Sequence, residues 1–222
     1  AGEDMFFLSN GHTSPMFYSI LAHRGYFAVS ELATFRRLGT RLQGHPTTAE
    51  GLPGVRVASG SLGQGLSVAV GVAQAKKLAN DNHLVYVLMG DGEQEEGQIW
   101  EAAMYAPAKN VDNIVAIVDY NKKQIDGPTD DVLSLGDLRA KYESFGWKVW
   151  ECNGNDMQEL VDTFNKIREN AHKGQSQILL AHTEMGMGVD FMMGTHKWHG
   201  VAPNDEQAAN ALSQLKETLG DY

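Results

Sequence analysis

The sequence predicts a single α/β domain: a mainly parallel sheet flanked by helices on both faces. Three observations predict it. Short apolar runs alternate with longer helix-like stretches along the whole chain, the order that gives parallel pairing with crossover helices. Several runs are almost unbroken in their apolarity, which marks strands buried on both faces. Turns rich in Gly, Asn and Asp follow the runs, where the connecting loops of such a sheet gather and ligands bind. A length of 222 residues suits one large domain. With no internal repeat or linker, that domain is expected to run over 1–222.

The elements follow in order. Residues 5–8 form a first strand and end in the turn Ser9-Asn10-Gly11. Ser14-Pro15 opens a helix, Ser as a cap and Pro at the first helical position. Met16, Ile20 and Leu21 give that helix an apolar face, and Gly25 ends it. Ser30 caps a short second helix over 31–38, and 39–54 reads as loop. Residues 55–59 read as the next strand. The turn Gly60-Ser61-Leu62-Gly63-Gln64-Gly65 leads into a small-residue helix to about Asn80. Strands over 83–89 and 113–118 enclose a helix over 96–109. A helix over 135–145, a strand over 148–152, a helix over 156–172 and a strand over 177–182 continue the alternation. Residues 184–200 form a Gly- and Met-rich loop, and Asn204 caps a final helix to Leu219.

Composition excludes several classes. The charged residues are 18 basic and 28 acidic, a formal net charge of -10. A field of that sign repels nucleic acid and anionic lipid. An anionic ligand would need a local cation, a metal or backbone N–H groups. No apolar run reaches the roughly 18 residues of a membrane-spanning helix. Cys152 is the single cysteine, so no internal disulfide forms. It reads as a small core residue, and with no leader-like opening segment a cytoplasmic location is expected.

Among the strand-end turns, Asp91 is the sharpest residue. It lies between Gly90 and Gly92, just past a buried strand, and Asn121 ends the next strand thirty positions on. A carboxylate and an amide oxygen so placed suit magnesium or calcium, with phosphate oxygens completing the shell. Turn formation explains the same two residues, and spacing leaves both readings open. The glycine-rich turn over 60–65 precedes a helix whose first N–H groups could hold a phosphate. A tight strand-to-helix connection is the alternative. Its glycine order is not that of a dinucleotide fold, and no Walker lysine is present. His12, His45, His196 and His199 sit in Gly-containing loops, where histidine donates to phosphate or moves protons. Each alone also reads as an ordinary surface residue. Most of the acidic cluster Glu93, Glu95 and Glu96 reads as a solvated helix start.

These residues resemble the N-terminal domain of transketolases. The stretches that carry the likeness are 8–12, Gly44-His45-Pro46, 59–65, Gly90-Asp91-Gly92 with Glu96-Gly97, Asp119-Tyr120-Asn121 through Gly127, and 196–200. They stand in family order across nearly the whole chain. Ser59 and Tyr120 depart from the commoner Thr and Asn. The resemblance implies the thiamine diphosphate-binding fold and that cofactor, with Mg2+, or Ca2+ or Mn2+ in its place. Asp91, Asn121 and the Lys123 carbonyl would hold the metal. Gly92, His12, His199 and the turn Gly60, Ser61 and Leu62 would contact the cofactor. His12, His45 and His199 would act in catalysis, the last two facing the substrate. Glu96 resembles the acid that links paired active sites.

The family continues into domains that carry the activating glutamate, and it has a helical segment ahead of the first strand. The expectation is therefore an N-terminal subunit lacking that segment. It would work with a C-terminal transketolase subunit in a dimer of such pairs. The expected reaction is two-carbon ketol transfer between ketose and aldose phosphates, a transketolase-type transferase of the pentose phosphate pathway. Two alternatives stand beside it: a non-catalytic cofactor-holding module, and a related thiamine-dependent transferase for a sugar-acid or sulfosugar substrate.

Overall fold

A computed structural model describes residues 2–215. Its main sheet has five parallel strands: β1 (Met5–Leu8), β2 (Val85–Gly90), β3 (Ile114–Tyr120), β6 (Lys148–Asn153) and β7 (Gln177–His182). Their order is β1-β2-β3-β7-β6. The register pairs Leu8 with Leu88, Gly90 with Asp119, and Tyr120 with His182. All carboxyl ends therefore reach one rim.

Alternation along the strands builds a core on each face. Val85, Val87 and Met89 pack with Ile178 and Leu180 under α2 (Gln64–Leu78), α3 (Gly97–Ala108) and α5 (Leu138–Ser144). Leu84, Val115 and Leu179 point the other way and pack on Ile167 of α6 (Met157–Glu169). Leu8 joins Phe17, Tyr18 and Leu21 of α1 (Ser14–His23). Most positions of β3 and β7 are buried on both faces, so their sequences are largely apolar, while one face of β2 is half-buried. Cys152 is buried in the α6 layer, the place its composition suggested. Among the described residues no helix is long and apolar enough to cross a membrane.

Several local expectations are corrected. Residues 55–59 are not a strand. The Val55 and Ser59 N–H groups bond to the Leu52 and Pro46 carbonyls, so no ladder forms. The buried face of α1 is Phe17, Tyr18, Leu21 and Ala22, while Met16 and Ile20 face outward. Ser14 does not cap α1; its hydroxyl donates to the Gly44 carbonyl at 2.6 Å. The helix expected over 31–38 is a short 3-10 segment, Val29–Thr34, with Ala28 ahead of it. A two-stranded hairpin, β4 (Lys123–Gln124) with β5 (Gly127–Pro128), and the short α4 (Thr129–Leu133) were not expected. In α7 (Asp205–Gln214), Asn204 caps as expected, in a reciprocal capping box with Gln207. The helix ends at Gln214 with Leu215 extended, short of the expected Leu219, and residues 216–219 lie outside the described residues.

Candidate functional site

The carboxyl ends of β1, β2 and β3 open into a cleft of about 530 Å³. Three turns meet there because their backbones approach closely. Gly65, at the start of α2, lies so near Ser9 that a Cβ would fall 2.4 Å from its side chain. Gly63 caps α2 in the left-handed region, at φ 85°. The Asn10–Thr13 turn, the glycine-rich turn and the Gly90-Asp91-Gly92 turn thereby share one wall.

Asp91 is 1% exposed. Its Oδ1 accepts the Gly92 N–H at 2.8 Å, and its Oδ2 accepts the Lys122 N–H. Burial pushes its carboxyl up to about 6, against the pull of these two N–H groups. Asn121 lies on the same wall, and its Oδ1 accepts the Lys123 N–H at 2.9 Å. Asp91 and Asn121 are thus brought together on adjacent strand ends. Both also serve their local turns, the turn-forming role that the spacing allowed. Asp91 keeps unused lone pairs on both oxygens.

His12 and His199 also line the cleft, with ring centroids 5.3 Å apart. Burial first, then His199 and His45, lower the His12 pKa. Burial lowers that of His199 against the nearby Asp119. Each ring, held neutral, offers one N–H and one lone pair.

Other expected residues are placed less uniformly. Leu62, Gly92, Lys123 and Glu96 line the cleft. Gly60 and Ser61 are exposed outside its wall. His45 lies in a neighbouring shallow groove with Arg36, Gln43, Thr47 and Glu50, and its ring borders Gly60. His196 does not line the cleft.

Residues given no individual role from the sequence are also there. Asn10, 2% exposed, lines it with an Oδ1 that has no partner among the described residues. Asp119 accepts the Thr183 hydroxyl, and Ile125 projects from the hairpin into the cleft. Glu93 is the main correction. It is 1% exposed, not a solvated helix start. The clue was its position, two residues past Asp91 in a turn that must fold back on the strand end.

Charge decides what the cleft can hold. Asp91, Glu93, Glu95, Glu96 and Asp119 line it, and Lys123 is the one lysine or arginine in its described wall. The Lys123 ammonium is spent on Glu184, at 2.9 Å. An anion enters such a site with a cation that the carboxylates attract. Among the described residues no group of three or more His, Cys, Asp or Glu is poised on one ion. The expected ligand set contains only one residue of those types, Asp91, beside an amide and a carbonyl oxygen.

The family model described as "Transketolase, thiamine diphosphate binding domain" matches residues 1–220. An apulose-4-phosphate transketolase subunit of Phocaeicola vulgatus is 41% identical over 217 residues, 98% of this chain and 76% of that one. A 6-deoxy-6-sulfo-D-fructose transketolase subunit of Clostridium sp. (strain MSTE9) is 37% identical, over 97% of this chain and 77% of that one. Among solved structures, the transketolase of Campylobacter jejuni superposes with a TM-score of 0.88 at 32% identity, covering 96% of this chain and 34% of that one.

Proposed function

Because the chain belongs to the transketolase family, through its thiamine diphosphate-binding domain, we propose that it is the N-terminal subunit of a split transketolase. In this reading it binds thiamine diphosphate with a divalent metal and transfers a two-carbon ketol unit between sugar phosphates. The observation that carries the reading is the presence of Asp91 and Asn121 in one acidic cleft, just past the paired ends of β2 and β3.

The residues fit that cofactor on two counts. The donor set is hard oxygen, suited to Mg2+, with Ca2+ or Mn2+ as substitutes. Gly92 lines the cleft, and a Cβ there would meet the Gln124 side chain at 3.2 Å, so glycine keeps the wall open to a phosphate. Asp91, Asn121 and the Lys123 carbonyl would hold the metal. Gly92, His12, His199 and the 60–62 turn would contact the diphosphate. When bound, thiamine diphosphate supplies a nucleophilic carbon and an electron sink.

The chain's own residues then have separate tasks. His12 and His199, kept neutral, donate to phosphate oxygens or pass protons without adding charge. His45 would reach the substrate from the groove beside Gly60. Glu96, exposed at the rim, would face the partner. Several relatives are named as subunits, which supports a second chain. That partner would be a C-terminal subunit supplying the activating glutamate, in a dimer of such pairs. The cytoplasm and the pentose phosphate pathway are the setting this reading gives it.

The relatives' names attach to different sugars, apulose-4-phosphate and 6-deoxy-6-sulfo-D-fructose. The donor is therefore proposed as a ketose with an anionic tail, phosphate or sulfonate. A first test is thermal: thiamine diphosphate with Mg2+, at about 100 times its dissociation constant, should stabilise the fold by roughly 2.7 kcal/mol. A second mixes this chain with its C-terminal partner and assays ketol transfer over a donor panel. Absence of a melting shift removes the binding reading. A shift without turnover by the folded pair leaves a cofactor-holding module.

A further inference from the structure

Glu93 joins three turns that are distant in sequence. Its Oε1 accepts the Gly63 N–H at 2.8 Å, and also the Ser9 hydroxyl. Its Oε2 accepts the Gly90 N–H at 3.0 Å. The Ser9 Oγ in turn accepts the Gly65 N–H at 3.0 Å. One buried carboxylate thus fixes the first turn, the glycine-rich turn and the turn that bears Asp91. The next residue completes the grip: Gln94 Nε2 donates to the Gly90 carbonyl at 3.0 Å, and the Tyr142 hydroxyl donates to Gln94 Oε1 at 2.6 Å. Both polar groups of the Gly90 backbone are held by side chains of the turn that follows it.

A buried carboxylate is costly unless its lone pairs are engaged. Two of its partners, Ser9 and Gly63, belong to turns, and the third, Gly90, is the last residue of β2, where the Asp91 turn begins. A core needing only stability would do as well with an apolar residue of similar size. We infer that Glu93 is a positioning residue: it sets the relative register of the three turns and so the place of Asp91 beside the glycine-rich turn. The inference rests on the proposed cofactor reading, because the ligand that profits from this register is a metal diphosphate. Glu93 itself touches no reacting atom in this role.

The test uses the full chain and thiamine diphosphate with Mg2+ as probe. Glu93→Gln keeps the shape but turns an NH2 toward N–H or O–H donors. Amide hydrogen exchange should quicken together at Gly63 and Gly90, two separate turns, and affinity for the probe should fall at least about tenfold. Ile167→Val, in the α6 layer away from the cleft, is the control. It should lower the melting temperature and leave affinity and exchange at those two amides unchanged. Ser9→Ala removes one donor and is the milder variant should Glu93→Gln not fold. It should quicken exchange at Gly65 and Gly63 and weaken the probe severalfold. If the folded variants lose stability and bind as tightly as wild type, Glu93 is structural only and the inference fails. If wild type itself does not bind the probe, the cofactor reading fails instead. The exchange measurement then still decides whether Glu93 couples the turns.

Discussion

The Lys123 ammonium lies 2.9 Å from Glu184 Oε1 and joins the two arms of the cleft. Lys123 belongs to the hairpin strand β4, and Glu184 stands just past β7. The same Oε1 accepts the Gly194 N–H at 2.7 Å. One carboxylate therefore ties the hairpin to the middle of the loop that carries Met185, His199 and Gly200 to the site.

Removing that tie should act locally. The pair is partly exposed, so its share of global stability is at most about 1 kcal/mol. Glu184→Gln should leave the unfolding midpoint nearly unchanged and speed proteolytic cleavage within 184–200. High salt should speed cleavage of wild type and have little further effect on the variant. Equal cleavage rates at low salt would show that the loop is held by other contacts.

Close approach of the turns gives a paired prediction. Gly65→Ala puts a Cβ 2.4 Å from the Ser9 side chain and 2.8 Å from its Cα, with backbone on both sides. Overpacking of this kind costs about 1–3 kcal/mol. Gly71→Ala meets nothing within 4 Å in the same helix. It should gain up to about 1 kcal/mol from helix propensity. Urea unfolding of both variants checks the sign; a neutral Gly65→Ala would mean that the two turns can separate freely.

Much of this arrangement was legible in the sequence, for reasons that differ by element. The strand at 177–182 reads correctly because Ile178, Leu179 and Leu180 are buried on both faces. Asp91 is legible because its flanking glycines mark a strand-end turn. Residues 55–59 mislead: Val55 and Val57 alternate like a strand, but they cover the α1 and α2 layers from a segment with no ladder. The α1 face misleads because helical spacing fits Met16 and Ile20, while the bulkier Phe17 and Tyr18 win the interior. The two-residue strands of the hairpin are too short to carry a period. Glu93 is illegible for a further reason. Its acidic surroundings look solvated, and its partners Ser9 and Gly63 lie 84 and 30 positions away.

The histidine pair predicts an acid-sensitive fold. His12 and His199 titrate below their ordinary value of 6.5 in the folded chain, chiefly through burial. As pH falls through 6.5 the unfolded chain binds protons first, so stability drops from there down to the lowered folded values. Above that window these two groups contribute no slope. His12→Gln should flatten part of the decline in urea midpoint between about pH 8 and about pH 5. An identical profile in the variant would remove His12 as a source of the acid sensitivity.

Asp91 should trade stability for binding. Its carboxylate is almost fully buried, and burial raises its pKa to about 6 despite two N–H partners. The ionised group is therefore a cost to the folded chain without its ligand at neutral pH. Asp91→Asn removes the charge and retains one oxygen for a backbone N–H, while its NH2 faces the other N–H and offsets part of the gain. It should raise the melting temperature of the unliganded chain near pH 7, by an amount equivalent to about 1–2 kcal/mol. The same variant should abolish the Mg2+-dependent part of the melting shift with thiamine diphosphate, because an amide oxygen is a weaker ligand for a hard divalent cation than a carboxylate. Calorimetry of the two proteins, with and without both ligands, separates the outcomes. A variant less stable than wild type and equally responsive to Mg2+ would make Asp91 a turn residue and leave the metal without its principal anionic ligand.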